Sequence, residues 1–361
     1  MEISPLPEGL SGRYRPGRSV AFIVNKPVKR EIFAAGFRDR VVHHYIIGKL
    51  NPLFEKLFCT DSYACRKGKG THYGIRRMEE HIRQASNGYT QKAFVLKLDI
   101  RGFFMHISRP LLYRRLEEFV LAGYREPDRD LLLWICRLVI FNDPARNCLR
   151  KGGLQDWDGL PPDKSLFFSP PGCGLPIGNL SSQVFANFYL HPLDVFIRET
   201  LGFANYGRYV DDFVLVSYDK EKLKKAVPKI RDFLASELGL QLHPKKCYLQ
   251  EISKGLPFLG TVLYPDRIVP GRRCKANFVQ AVRSFNALAC SRPLTTADTD
   301  AFLSSINSYL GIMRHWRSYR FRRRILYKKL VGFWWQRVQL CRSARSFRRL
   351  TRPLSHELGL S

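Results

Sequence analysis

Apolar and polar positions along this chain follow two periods, and the changes from one to the other mark its elements. Over 38–50, Val41, Val42, Tyr45, Ile46 and Leu50 recur at the spacing of one helix face and predict a helix. A second helix is expected from about Ile75 to Ala85. Residues 92–100, KAFVLKLDI, read as a strand ending at Asp99. Ser108 is a good N-cap, and Pro110 is tolerated in the first turn of the helix that follows. A further helix is predicted over 128–141. The stretch 142–173 is rich in Gly, Pro and charge and reads as a long connection with room for a hairpin. Residues 174–199, GLPIGNLSSQVFANFYLHPLDVFIRE, begin as a turn and become helical near Ser181, with Val184, Phe185, Phe188, Leu193 and Phe196 inward. Pro192 should kink that helix or end its first half. A strand–turn–strand surrounds Asp211 and Asp212, a helix covers Lys220–Leu238, and GLPFLGTVLY (255–264) is an apolar turn. After Asp266 the pattern is helical, basic and aromatic to the end. Acid-bearing strands packed on helices make an α+β core, with a separate basic helical domain beginning near 266.

Composition changes this picture mainly through charge. The 361 residues are 45% hydrophobic and 13% aromatic, enough for a packed core in two or three domains. There are 60 Lys and Arg against 31 Asp and Glu, a net charge of +29. A field of that size concerns partners, not fold. Nucleic acid is the first candidate, since cations that neutralise phosphates release counterions; an anionic membrane surface is the second. Between Arg267 and Arg352 there are 20 Lys and Arg and only two acids, Asp298 and Asp300. No stretch approaches the roughly 18 uncharged apolar residues of a membrane span, and MEISPLPEGLSG lacks the apolar core of a signal peptide. The cysteine count, 9, is odd and no C-x-x-C pair occurs, which excludes a disulfide framework and a zinc ribbon. Reduced thiols in a cytoplasmic protein are expected.

The chemistry centres on YGRYVDDFVLV (206–216). Adjacent carboxylates repel each other and lose solvation when half buried. A pair of acids in a turn is most often simply solvated, but here the flanks are apolar strand. A divalent cation would remove the repulsion, and Mg²⁺ takes a few carboxylates with phosphate oxygens and water. Asp99, at the end of an apolar strand and before a glycine bend, is the expected third acid. Three acids around two metals suit in-line phosphoryl transfer.

With Asp99, the Gly-rich turn at 174–183 and YVDD in that order, the chain resembles a reverse transcriptase from about 31 to 265. KLDIRGFFMHI resembles the first palm motif and YVDDFVLV the catalytic hairpin. LHPKKC resembles the lysine-bearing motif, GLPFLGTVL the primer grip and SYACRKGKGTH the fingers motif that grips the triphosphate. The resemblance implies a right-hand polymerase fold: an extension at 1–30, fingers at 31–95, a palm with a fingers insertion at 96–265, and a basic helical thumb and tail at 266–361. Most reverse transcriptases carry Gln-Gly before the long palm helix and Pro after its serines. This chain reads Ile177-Gly178-Asn179-Leu180-Ser181-Ser182-Gln183. That pattern, with PPGCGLPIGN and DSYACRKGKGTH, is similar to reverse transcriptases of diversity-generating retroelements. Those enzymes copy a template-repeat RNA with errors at adenines into cDNA that replaces part of a target gene (mutagenic retrohoming).

By that resemblance Asp99, Asp211 and Asp212 are the catalytic carboxylates, holding Mg²⁺ (or Mn²⁺) together with the backbone carbonyl of Ile100. Arg66 and Lys69 grip the triphosphate, with Gly68 and Gly70 allowing close approach. Phe104 stands at the position that excludes a 2′-hydroxyl, or is simply a core ring. Gly178 belongs to the nucleotide site. Lys246 gives a proton to pyrophosphate, with Lys245 one register away. Ile177 and Gln183 bear on fidelity: Ile177 offers shape where a Gln would hydrogen-bond, or is a neutral packing change. The expected partners are template RNA, primer, cDNA, dNTPs and a basic accessory variability protein, with no membrane, in a bacterial, archaeal or phage-encoded system. Another bacterial reverse transcriptase (retron, phage-defence or group II intron-like) and a non-catalytic RNA-binding scaffold are the competing readings. In the tail, Ile312, Trp316, Tyr319, Leu330, Phe333 and Trp334 at helical spacing are expected to serve helix packing more than base stacking.

Overall fold

A computed structural model describes residues 13–25 and 28–350. The chain divides into two compact units, Met1–Gln250 and Glu251–Ser361. This division falls before the boundary expected after 265, and 255–264 lies in the second unit.

In the first unit, strands β1 (Ser19–Val24) and β2 (Arg30–Ala34) pair antiparallel, with Val20 opposite Ala34. The stretch expected as an extension before residue 31 thus supplies sheet, and that boundary cuts β2. Helices α1 (Phe37–Leu57) and α2 (Thr71–Ala85) follow, each longer than its periodic core. β3 (Phe94–Asp99) ends where Gly102 takes a left-handed φ of 54° and opens the short helix α3 (Phe103–His106). α4 (Arg109–Gly123) starts as its sequence predicts: Ser108 Oγ accepts from Leu111 N at 3.3 Å, and Pro110 sits in the first turn. After α5 (Arg129–Phe141) no hairpin forms in 142–173. β4 (Cys148–Arg150) instead runs parallel to β1, with Ser19 opposite Cys148, and 3₁₀ turns follow at Leu154–Trp157, Pro162–Lys164 and Leu166–Phe168.

α6 (Leu180–Val195) runs through Pro192 and gives way at Phe196–Thr200 to a π turn, a wider register that accommodates a disturbed hydrogen-bond ladder. β5 (Tyr206–Tyr209) and β6 (Asp212–Ser217) form the expected hairpin. α7 (Lys220–Leu238) is capped by Asp219, whose carboxylate accepts from Lys222 N at 2.9 Å, and it stops at left-handed Gly239. β7 (Tyr248–Glu251) completes a four-stranded sheet ordered β5–β6–β3–β7. Phe213, Val214, Leu215 and Val216 are all buried, so β6 is covered on both faces, which explains its unbroken apolar run. The core joins this sheet to α1, α4, α5, α6 and α7 through Ile46, Leu98, Leu112, Ile135, Phe185, Phe213 and Ile230.

The second unit opens with an antiparallel sheet of β8 (Leu256–Phe258), β9 (Thr261–Tyr264) and β10 (Arg267–Pro270). Helices α8 (Arg272–Ser291), α9 (Thr296–Met313), α10 (Tyr319–Lys329) and α11 (Gly332–Trp335) follow. The tail is not helical to its end: β11 (Val338–Leu340) and β12 (Phe347–Arg349) make a small hairpin. Phe302 and Trp334 stack at 4.2 Å in this unit's own core. Leu330, Trp316 and Trp334 are buried as expected, whereas Ile312, Tyr319 and Phe333 are exposed and do not serve helix packing. Among the described residues no helix is long and apolar enough to cross a membrane.

Candidate active site

The antiparallel register of β3 and β6 places Asp99 directly opposite Asp212. Asp211 lies in the turn between β5 and β6, next to Val210, whose φ of 59° is a left-handed conformation that β-branched residues rarely adopt. Burial, then the charge of Asp99 and that of Asp212, push the Asp211 carboxyl up to about 6. Burial also raises Asp212, against the pull of Lys97, whose Nζ is 2.7 Å from Asp212 Oδ2. Asp212 Oδ1 is buried without a hydrogen-bond partner. Lys246 Nζ lies 3.0 Å from both oxygens of Asp99, while the backbone N–H of Lys245 donates to His243 Nδ1. Ile100 is buried and bridges Leu242, and Asp99 O accepts from His243 N at 2.8 Å.

Among the described residues no group of three or more His, Cys, Asp and Glu is gathered closely enough to hold a metal ion unaided. The donor set nonetheless fits a divalent cation: the orphaned Asp212 oxygen and the mutual repulsion at Asp211 are what such an ion relieves.

Five residues after Asp99, α3 half-buries Phe104 against Phe103, ring centroids 5.3 Å apart. Phe104 and Ile177 pack against one small cluster of Ala21, Phe33, Met105 and Leu166, so the structure brings these two expected residues together. The turn carrying Ile177 is docked on β2: Phe33 N donates to Ile177 O at 2.8 Å and Ala35 N to Asn179 Oδ1 at 3.2 Å. Gly178 is required there, because its φ is 124° and a Cβ would stand 2.8 Å from Ile32 Cγ2.

The family described as reverse transcriptase (RNA-dependent DNA polymerase) matches residues 29–263. The chain belongs to that family. As a reverse transcriptase it is an enzyme of the RNA-directed DNA polymerase class, with the right-hand polymerase fold. It is similar to Protein YkfC of Escherichia coli (strain K12), 24% identical over 294 residues, 72% of this chain and 70% of that protein. It is also similar to Nuclear intron maturase 1, mitochondrial, of Arabidopsis thaliana, 22% identical over 440 residues, 90% of this chain and 59% of that one. Among solved structures, a telomerase from Candida albicans aligns over 90% of this chain and 60% of its own, with 14% identity and a TM-score of 0.49. The reverse transcriptase thus spans less than two thirds of the maturase and of the telomerase chain.

In this reverse transcriptase Arg66 and Lys69 of the 61–72 loop are engaged by the protein itself. Arg66 is spent within the fingers: it clamps Glu55 through Nε (3.0 Å) and Nη2 (2.7 Å), and its Nη1 donates to the carbonyls of Cys59 and Ser62. Lys69 Nζ donates to Thr60 O at 2.6 Å, and burial with the charge of Arg66 lowers its pKa. Gly68 and Gly70 have positive φ and open space where a Cβ would stand. Gln183 is exposed, and its Oε1 accepts from Cys65 Sγ at 3.0 Å, linking α6 to that loop.

Sequence reasoning missed Lys97, although a strand's period of two already placed it on the Asp99 face. It also missed Glu31, whose buried carboxylate accepts from Trp157 Nε1 (2.7 Å), Ser165 Oγ (2.8 Å) and Leu166 N (2.7 Å). The signal was an acid immediately before the apolar run Ile32-Phe33-Ala34.

Proposed function

We propose that this reverse transcriptase copies a template-repeat RNA into adenine-mutagenised cDNA for diversification of a target gene. The observation that carries the reading is Ile177: it packs against the same apolar cluster as Phe104, and its side chain offers shape and no hydrogen bond. A site that reads by shape alone discriminates weakly between partners of similar outline.

In this reading Asp99, Asp211, Asp212 and the Ile100 carbonyl hold Mg²⁺, with Mn²⁺ as the substitute. When bound, the metal supplies Lewis-acid activation of the primer 3′-hydroxyl and neutralises charge on the triphosphate. Lys246 leaves Asp99 and gives a proton to the departing pyrophosphate. Phe104 lies under the sugar and leaves no room for a 2′-hydroxyl. The N–H groups around Gly68 and Gly70, with Lys69 and Arg66, receive the phosphates. Arg66 does so only by exchanging its Glu55 clamp for phosphate, or else acts through the loop it braces. The polymer partners are template RNA, primer and cDNA, and a basic accessory protein joins through shared RNA.

The likeness to an intron maturase favours a second reading, a group II intron-like reverse transcriptase of ordinary fidelity. Sequencing cDNA made by the wild type and by Ile177→Gln separates them. Errors concentrated opposite template adenines, and reduced at least about threefold in the variant, are expected; an unchanged error spectrum would sink the proposed role of Ile177, and accurate wild-type cDNA would leave the second reading standing.

A further inference from the structure

Arg208 and Asp194 form an ion pair with no exposed surface on either side chain. Such a pair is tolerated only where its geometry and remaining donors are satisfied. Here Arg208 Nε donates to Asp194 Oδ1 at 2.7 Å and Nη2 to Oδ2 at 2.6 Å, a two-point clamp. Tyr206 Oη donates to the same Oδ1 at 2.7 Å. The guanidinium has two further arms. Nη1 donates to Val210 O at 3.0 Å and to Asn187 Oδ1 at 3.1 Å; Nη2 donates to Ser62 Oγ at 3.2 Å.

The first arm grips the left-handed residue immediately before Asp211. The second grips the root of the 61–72 loop. Around it, Arg208 N donates to Asp61 O at 2.8 Å, Tyr63 N donates to Arg208 O at 2.9 Å, and Asn187 Nδ2 donates to Ala64 O at 2.6 Å. Four consecutive loop residues, 61–64, are therefore fastened to Arg208 or to its neighbour Asn187. Nothing in the phosphoryl-transfer chemistry uses Arg208, which touches neither a carboxylate of the site nor open space.

We propose that Arg208 is a positioning residue: one guanidinium, anchored by Asp194, seats the 61–72 loop and the Val210–Asp211 turn together, so that loosening either loosens both. A lysine could answer the charge of Asp194 but, as a single point donor, could not span both oxygens, Val210 O and Ser62 Oγ. The inference rests on the reading of this hairpin as the polymerase site.

The test is hydrogen–deuterium exchange on the full chain as wild type, Arg208→Lys and Ser62→Ala, with primer extension at varied dNTP in parallel. In Arg208→Lys, exchange is expected to rise at least about fivefold in peptides covering both 59–66 and 209–213, with α8 and α9 unchanged. Its kcat should fall about tenfold or more, with a smaller change in KM, because Asp211 is misplaced in the transition state. Ser62→Ala should loosen both segments and lower kcat in the same direction by a smaller factor, about threefold. Faster exchange in only one segment, or a folded Arg208→Lys with unchanged kcat, would overturn the proposal. If Arg208→Lys does not fold, Ser62→Ala decides: loosening confined to 59–66 refutes the coupling. A wild type without polymerase activity would refute the polymerase reading instead, while the exchange results would still decide the coupling.

Discussion

Asp61 and Asp211 are both withdrawn from water, and their carboxyls shift in opposite directions. Asp211 goes up because burial and two like charges act together. Asp61 is also raised by burial, but hydrogen bonds and charge from His81 and Arg77 outweigh it and hold it at about 2. Its folded pKa lies below the ordinary value of 3.8, so Asp61 contributes stability above that pH and loses it as pH falls through about 2. Asp61→Asn is expected to cost about 2 kcal/mol near neutrality. The gap in thermal midpoint between wild type and variant should close as pH falls from 4 towards 2, and a gap constant over that range would contradict the assignment. Asp99, Asp211 and Asp212 were legible in the sequence because acids inside apolar strand are conspicuous. The engagement of Arg66 by Glu55 was not, since a basic loop reads the same whether its cations face a ligand or its own carbonyls.

Elements whose signals are local were readable: the Ser108 cap, the 206–217 hairpin and α7 between Asp219 and Gly239. Elements made by distant pairing were not. β4 exists because Cys148 meets Ser19, and the three-residue strands β11 and β12 are too short to show a period. The insertion after α5 is held to β2 by Glu31, so Glu31→Ala strands three donors, two of them in buried hydrogen bonds, at a cost of about 3 kcal/mol. Limited proteolysis should then cut within 154–168 faster than in the wild type; equal cleavage rates in both would show that Glu31 does not anchor it. At the palm, a Cβ on Gly207 would overlap the Tyr63 hydroxyl and approach Tyr63 Cε2 to 2.9 Å. Gly207→Ala is expected to destabilise by about 1–3 kcal/mol through overpacking, read as a lower denaturant midpoint; an unchanged midpoint would mean that Tyr63 yields freely.

For the whole molecule, the net charge of +29 predicts behaviour that no single residue explains. Arg320, Arg323 and Arg324 lie in α10 of the second unit, a helix with exposed Tyr319 and Tyr327. The logarithm of the affinity for an RNA–DNA hybrid should fall linearly with log salt, and changing those three arginines to Gln should reduce the slope by about 1 for each one that meets a phosphate. An unchanged slope would place the nucleic acid elsewhere. The family and its hairpin were legible from motif order. The unit boundary was not, because the apolar 255–264 segment reads equally well as the end of one unit or the start of the next. In the proposed function Asp211 is a metal-holding carboxylate of a working reverse transcriptase. The most direct test of that role is primer extension on an RNA template with Mg²⁺ and all four dNTPs, comparing the wild type with Asp211→Asn at matched thermal stability. The wild type is expected to make cDNA, with a loss of at least about a thousandfold in the variant; a variant that extends primers as fast as the wild type would show that Asp211 takes no part in catalysis.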